Sequence, residues 1–376
     1  MNLEKYKNCL YRTLKEIYPV YFKKKILRKM CEDGLILNDK RKSGNGQLNL
    51  MMLNVSDIDL IDDKFKNILL NDQNENTKII YKYIEEFEYE KEYRHGCFFK
   101  FDGYSQERVQ ELISNKDANL YIKSGDMYDD INSEFRIPTI KETQDVLYIK
   151  FNHKLENKQA EEIKYVIMAI IHIKEKMLEI RLDKVGSEYK NPINDFYASI
   201  IDSTLKALRE LMGIEIQDID FKSIVNYMKD EKDDVTIYAQ KMTRNGSVAY
   251  LEAASNNKDV IEKEDAVNNE DLVMPILGDF KKFMKNNNSL LDQTKETKEI
   301  KKRLQELIEE IEVTSDLPKV KITWAKKGIK VGIDLEYKNR QYSFFMYFDE
   351  LIEGKERMEH VREYLINCYR ELEEQT

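Results

Sequence analysis

Glycine, proline, cysteine, histidine and tryptophan are all scarce in this 376-residue chain, which has 13 Gly, 5 Pro, 4 Cys, 4 His and one Trp. The glycines form no GxGxxG or GxxxxGK[ST] run, and Gly44-Asn45-Gly46 is the only close pair. The phosphate-cradling loops of dinucleotide and NTP sites are therefore missing, and nucleotide hydrolysis is not expected. Cys9, Cys31, Cys97 and Cys368 lie far apart with no CxxC spacing. That excludes a zinc knuckle and a thioredoxin-like site and predicts buried free thiols. No GxSxG run anchors a hydrolase triad. The longest apolar run, Tyr165 to Ile171, is seven residues, against the roughly 20 that a membrane helix needs. No bilayer crossing and no membrane partner are expected. The first residues, MNLEKYKNCLYRTLKEIYP, are charged and amphipathic and lack the apolar block of a secretory signal, so a cytoplasmic location is expected.

What is abundant is charge. Charged residues make up 35 % of the chain and hydrophobic residues 41 %, enough apolar content to build folded cores. The total of 61 Lys and Arg against 70 Asp and Glu gives a net charge of −9, but the imbalance is uneven. Residues 1–50 hold twelve basic and five acidic side chains, a surplus of seven positive charges, while the remainder holds 49 basic against 65 acidic. A phosphate backbone would attract this head and be repelled by the body. The few Gly and Pro and the abundant Asn, Lys, Ile and Tyr read as AT-rich coding, which points to a bacterial mobile-element or antiphage-defence setting.

Hydrophobic periodicity predicts an α+β protein. Helices are expected over 2–17 and 19–32, the latter with Pro19 near its first turn and Asp33-Gly34 as its stop. Short strands are expected at 35–37 and 47–55 around a polar loop, Asn38–Gly46. A small α/β unit follows, with strands at 98–101, 120–123 and 146–152 and a helix over 105–114. Residues 164–186 read as a hairpin turning near Lys174–Lys176. Asn194–Met212 reads as a helix with Phe196, Ile200, Ile201, Leu205, Leu208 and Met212 on one side. Three strands near the C-terminus alternate cleanly, with Val320, Ile322 and Trp324 on one face and Val331, Ile333, Leu335 and Tyr337 on another. The expected divisions are a basic head (1–56), a small α/β subdomain (57–155), an α+β central domain (156–288), and a helix, three-stranded antiparallel meander and C-terminal helix (289–376).

The strongest functional signal is in the head. At about 100° per residue, Phe22, Ile26, Leu27 and Met30 gather on one side of the second helix, and Tyr21, Lys24, Lys25 and Arg28 on the other. Glu32-Asp33-Gly34-Leu35-Ile36 follows as a turn, and Asn38–Gly46 carries Lys40, Arg41 and Lys42 in a glycine-flexed loop. Over about 55 residues this arrangement resembles the winged helix-turn-helix superfamily. The resemblance implies a recognition helix ending at the EDGLI turn, two strands enclosing a wing at 38–46, and nucleic-acid contact by that helix and wing. Tyr21, Lys24, Lys25, Arg28, Lys40, Arg41 and Lys42 are the expected binding residues, with DNA as the expected ligand and RNA also compatible. Lysines favour phosphate contact over base reading. The same fold can instead dock protein.

Catalytic patterns are sparse. Asp334, Glu336 and Lys338, on one face of an expected strand, have the residue types of a metal-dependent nuclease, two carboxylates for Mg²⁺ and a lysine beside them. A solvated strand face gives the same alternation. Glu179, Arg181 and Asp183 repeat the pattern and read as another solvated face. His95 and Cys97 offer only two metal ligands, and His172 reads as a core histidine. No cofactor and no metal site are expected. Met358, Val361, Leu365, Cys368 and Leu372 are spaced 3, 4, 3, 4, a seam that fits either packing on the preceding sheet or a homodimer through the C-terminal helix. The leading expectation is a non-enzymatic nucleic-acid-binding adaptor or regulator whose acidic body recruits partner proteins. A scaffold that binds only proteins and a metal-dependent nuclease are the alternatives.

Overall fold

The computed structural model describes residues 3–38, 52–70, 77–121, 137–190, 195–244, 247–252, 283–284, 286–314, 316–348 and 355–375. It contains both helices and sheets, as an α+β protein should. The chain divides into two compact units, Met1–Asp218 with Glu353–Met358, and Ile219–Ile352 with Glu359–Thr376.

The first unit opens with α1 (Leu3–Glu16) and α2 (Val20–Glu32), broken at Pro19, whose φ of −67° suits the residue just before a helix. α2 stops in a Schellman motif: the Leu35 N–H donates to the Met30 carbonyl at 2.9 Å and the Gly34 N–H to the Cys31 carbonyl at 3.1 Å. Gly34 sits at φ +70°, a conformation that costs glycine nothing. Two short strands follow, β1 (Ile36–Leu37) and β2 (Leu53–Asn54), then α3 (Ile61–Leu70) and α4 (Thr77–Glu88). β1 and β2 pair in parallel, Ile36 opposite Leu53. A wing formed as a simple hairpin would instead bring its strands together antiparallel.

Phe22, Ile26, Leu27 and Met30 are buried in one core with Leu10, Leu14, Phe65, Ile68, Leu69 and Ile84. Burial of each such side chain contributes roughly 1.5–3 kcal/mol. This core runs on through α3 and α4, so the head does not end near residue 56.

The rest of the unit is a sheet formed by β3 (His95–Asp102), β4 (Asn119–Leu120), β5 (Thr139–Glu142), β6 (Val146–Glu156), β7 (Glu162–His172), β8 (Met177–Leu182) and β9 (Glu215–Asp218). Its order is β4-β5-β6-β7-β8-β3, with β9 also on β3. Only β4–β5 is parallel among these pairs. The expected 164–186 hairpin is β7–β8. The unit's other helices are α5 (Gln106–Ser114) and α6 (Phe196–Met212). β7 is buried almost throughout. α1 packs against it where β8 no longer pairs, and there the Lys164 backbone N–H donates to Thr13 Oγ1 at 2.7 Å. On the face opposite the Lys164 side chain the Tyr165 ring meets Phe196 of α6 at 5.8 Å.

The second unit contains α7 (Phe221–Glu231), β10 (Thr236–Arg244), β11 (Ser247–Glu252), the single-turn α8 (Asn288–Leu291), α9 (Lys295–Thr314), β12 (Asp316–Trp324), β13 (Ile329–Asp334), β14 (Phe344–Tyr347) and α10 (Glu356–Gln375), whose first residues belong to the first unit. The expected meander, β12–β13–β14, is antiparallel but is part of a larger sheet ordered β11-β10-β12-β13-β14. The division expected at 288/289 therefore cuts a continuous sheet. Val361, Leu365 and Cys368 of α10 are buried, as is Met358, and Tyr364 packs its ring 5.3 Å from Trp324. Four of the five seam residues are thus packed inside the chain, as the first of the two readings has it, and Leu372 is half-buried. No helix among the described residues is long and apolar enough to cross a membrane.

Candidate nucleic-acid interface

The apolar back of α2 fixes the helix in its core, so its opposite face turns outward. Lys24 and Arg28 are exposed there, and neither makes an ion pair with a described residue. Lys25 lies beside them. Its Nζ is 3.1 Å from Glu90 Oε2 and 4.9 Å from the centre of the Phe87 ring. Both partners of the Lys25–Glu90 pair remain well exposed, at 52 % and 40 %. Such pairs are worth about 0–1 kcal/mol, so Lys25 can exchange a carboxylate for a phosphate at little cost.

The other cations of α2 have different roles. Lys23 is buried and donates to Asp62 at 2.6 Å, tying α2 to α3. Lys29 donates to Asp33 at 2.8 Å, which raises the lysine pKa. Together with a hydrogen bond from the Tyr83 hydroxyl, it holds the Asp33 carboxyl below its ordinary range. Tyr21 is half-buried, and its hydroxyl accepts the Glu92 backbone N–H at 2.8 Å. It anchors the turn after α4, so its polar end is already engaged. Lys40, Arg41 and Lys42 lie outside the described residues.

The nuclease pattern does not survive folding. β13 ends at Asp334. Glu336 and Lys338 sit in a tight turn at φ +48° and +55°, so the period-two alternation that placed all three on one face stops before it reaches them. Asp334 is paired with Lys319 at 2.8 Å. Among the described residues no group of three or more His, Cys, Asp or Glu side chains could hold a metal ion. Burial, reinforced by the charges of Lys190, Lys184 and Arg94, depresses the His95 pKa to about 3, and burial pushes the Cys97 thiol up. A surface cavity of about 500 Å³ is lined by Lys116, Asp117, Phe151, Glu210 and neighbouring apolar groups.

The sequence reading missed a buried ionic layer. Glu179, Arg181 and Asp183 are covered, not solvated, with exposures of 0 %, 2 % and 3 %. The β6–β7–β8 register puts Lys150, Lys164, Glu179 and Arg181 on one sheet face; α4 supplies the counter-charges to the two lysines, and Arg181 pairs with Glu179 at 2.7 Å. Glu88 accepts from Tyr18 at 2.6 Å, from Lys150 at 3.0 Å and from Lys164 at 3.3 Å. Glu85 accepts a second bond from Lys150 at 2.5 Å. Burial would raise the Glu88 pKa, but Lys150, Lys164 and Tyr18 together bring it down to about 2. Glu179 also falls to about 2, held against burial by Arg181 and His172. Lys91 donates to Asp183 and lies over the Tyr18 and Tyr93 rings at 4.4 and 4.0 Å. Burial lowers the Lys91 pKa and raises that of Asp183, each opposed by the other's charge. These groups face one another, not solvent. They tie the α1–α2 corner and α4 to the sheet. The available signal was a lysine set among apolar residues in each of two strands, Lys150 within VLYIKFN and Lys164 within EIKYVIM.

Comparison of the chain with protein-family models, with curated proteins and with solved structures gives no match.

Proposed function

We propose that the protein is a non-enzymatic nucleic-acid-binding adaptor or regulator, of winged-helix type at its N-terminus, that grips phosphates with the outer face of α2. The observation that carries this reading is the placement of Lys24 and Arg28, exposed and without carboxylate partners among the described residues, beside the solvent-exposed Lys25–Glu90 pair. Because α2 is fixed by a buried core and by Lys23–Asp62, the three cations project from a backbone that is already ordered, and no backbone entropy need be lost on binding. Lys40, Arg41 and Lys42 follow α2 in sequence and extend the positive charge. With lysine and arginine against phosphates, binding is governed by charge and is weakly selective for sequence. DNA is the first ligand to test, with RNA beside it, and the acidic remainder of the chain is assigned to protein partners in a mobile-element or antiphage-defence setting.

The test is binding of the full chain to duplex DNA and to RNA over a series of salt concentrations. Four to six phosphate contacts give a log–log slope of about −4 to −5 on duplex DNA. A protein-only scaffold gives no binding at low salt, and that outcome rejects the proposal.

A further inference from the structure

The β10–β12–β13–β14 sheet of the second unit has two unlike faces. On one, Val320, Ile322, Val331 and Ile333 are buried. Helices pack on that face: Phe345 meets Phe221 of α7 at 4.9 Å, and Trp324 meets Tyr364 of α10 at 5.3 Å. The alternate residues Lys319, Lys321, Thr323, Lys330 and Met346 point the other way, and all remain partly exposed. Phe348, just after β14, continues the pairing by donating its N–H to the Lys330 carbonyl at 3.3 Å, and its ring is also partly exposed.

This outer face interleaves cations with rings. Tyr238 lies at a bulge, where the pairing of β10 with β12 shifts between Ile237 and Ala239. A bulge re-aims a side chain, and here it brings the Tyr238 ring to the outer lysines, with Lys321 and Lys330 at 5.8 and 6.0 Å from the ring centre. Lys321 is also 5.9 Å from the centre of the Phe348 ring. Phe348 reaches the sheet over Gly332, where a Cβ would come within 3.2 Å of its ring. The glycine gives up strand stability and in exchange seats an aromatic ring close to the backbone. Lys241 stands opposite Lys319 in the β10–β12 register and extends the charge. The acids at register positions on this face are Asp334, 2.8 Å from Lys319, and Glu252, opposite Ala239. The four lysines outnumber them on a body that is acidic overall.

That chemistry selects one occupant. Lysines attract an acidic peptide as well as a phosphate chain, but an acidic peptide leaves the rings unused. A nucleic-acid strand uses both, with bases stacked on the rings and phosphates held by the lysines. The strand must be single, since paired bases stack on one another and offer no face to a side chain. We infer that this sheet face binds single-stranded nucleic acid, with Tyr238 and Phe348 as stacking platforms and Lys241, Lys319, Lys321 and Lys330 as phosphate contacts. The site is separate from α2 and does not rest on the reading of α2.

The experiment is fluorescence anisotropy of labelled oligo(dT) and oligo(U) with the full chain carrying Lys24→Ala/Lys25→Ala/Arg28→Ala, so that α2 contributes nothing. Single strands are expected to bind, and a duplex of equal length to bind more weakly. Tighter binding of either oligonucleotide supports the site and tells DNA from RNA. Adding Tyr238→Ala and Phe348→Ala is expected to weaken single-strand binding by about tenfold or more. Tyr238→Phe, which keeps the ring, is expected to leave the affinity unchanged. Ultraviolet cross-linking of oligo(dT) to the wild-type chain reads the site without any substitution, and adducts are expected on Tyr238 or Phe348. Absence of single-strand binding in the α2 variant overturns the inference. So does binding that survives loss of both rings, with adducts elsewhere. Equal binding of poly-glutamate would make the face a surface for acidic peptides and overturns it as well.

Discussion

Lys150 Nζ lies 3.0 Å from a carboxylate oxygen of Glu88, and neither side chain has any exposed surface. Glu88 also receives Lys164 and the Tyr18 hydroxyl, so three buried donors share this one anion. Removing one partner of a buried pair costs about 3–5 kcal/mol, since the other charge stays uncompensated. Glu88→Ala should lose stability of that order in urea unfolding. Lys150→Met should lose less, because Glu88 retains Lys164 and Tyr18. Equal losses would contradict the central position assigned to Glu88.

Acid should weaken the first unit in a defined window. The Glu88 and Glu179 pKa values are both depressed to about 2 in the folded protein. A carboxylate with a depressed folded pKa contributes stability above its unfolded pKa, near 4.3, and loses it as pH falls towards the folded value. Burial of Asp183 works in the opposite direction, since its raised pKa favours the folded state once it is protonated. With two fully buried carboxylates depressed against one raised, stability should fall between about pH 5 and pH 2 by a few kcal/mol. Comparing Tm against pH for wild type and Glu88→Gln checks this. The variant, less stable at neutral pH, should show a visibly shallower acid limb.

His95 should behave as a neutral ring. Its pKa is depressed to about 3 by burial and by three nearby cations, and it packs 4.6 Å from the Tyr197 ring. Its imidazole resonances should stay constant from pH 8 to pH 5 in an NMR titration. A midpoint near the ordinary histidine value of about 6.5 would show that the site is open to water.

Glu336 provides a local test of the turn that replaces the expected strand. At φ +48° its backbone is left-handed, which costs a non-glycine residue roughly 1–2 kcal/mol. Glu336→Gly should therefore be neutral or stabilising by up to about 1 kcal/mol, because the strain relieved offsets glycine's extra unfolded-state entropy. The same change within a strand would destabilise by about 0.5–1 kcal/mol. Thermal unfolding of the variant distinguishes the two.

The elements that could be read from the sequence are those whose pattern records burial directly. The stripe Ile200, Ile201, Leu205, Leu208 and Met212 is buried on α6, and Asp33-Gly34 stops α2. The 164–186 hairpin and the three C-terminal strands also follow from alternation. The failures share one cause: periodicity shows which residues share a face but not what covers that face. Glu179, Arg181 and Asp183 alternate like a solvated edge, yet Lys91, just after α4, covers Asp183, and Glu179 is engaged by Arg181 beside it and His172 of β7. Likewise the α10 spacing fits a partner helix as well as its own sheet, and only the burial of Met358, Val361, Leu365 and Cys368 selects the second. At Asp334–Lys338 the alternation continues in the sequence after the backbone has left the strand, because no glycine or proline marks the turn. On α2 the hydrophobic side was legible. Which of its cations are neutralised was not, because Asp62 and Glu90 lie far along the chain from Lys23 and Lys25.

The most direct test of the proposed function is the salt dependence of duplex DNA binding for wild type and for Lys24→Ala/Lys25→Ala/Arg28→Ala. All three side chains lie on the exposed face of α2, so the fold should be preserved, as circular dichroism can verify. Losing three phosphate contacts should flatten the log–log slope by about 3 and weaken binding alike for unrelated sequences. A triple variant that binds with the wild-type slope would contradict the assignment of α2 as the phosphate-gripping element.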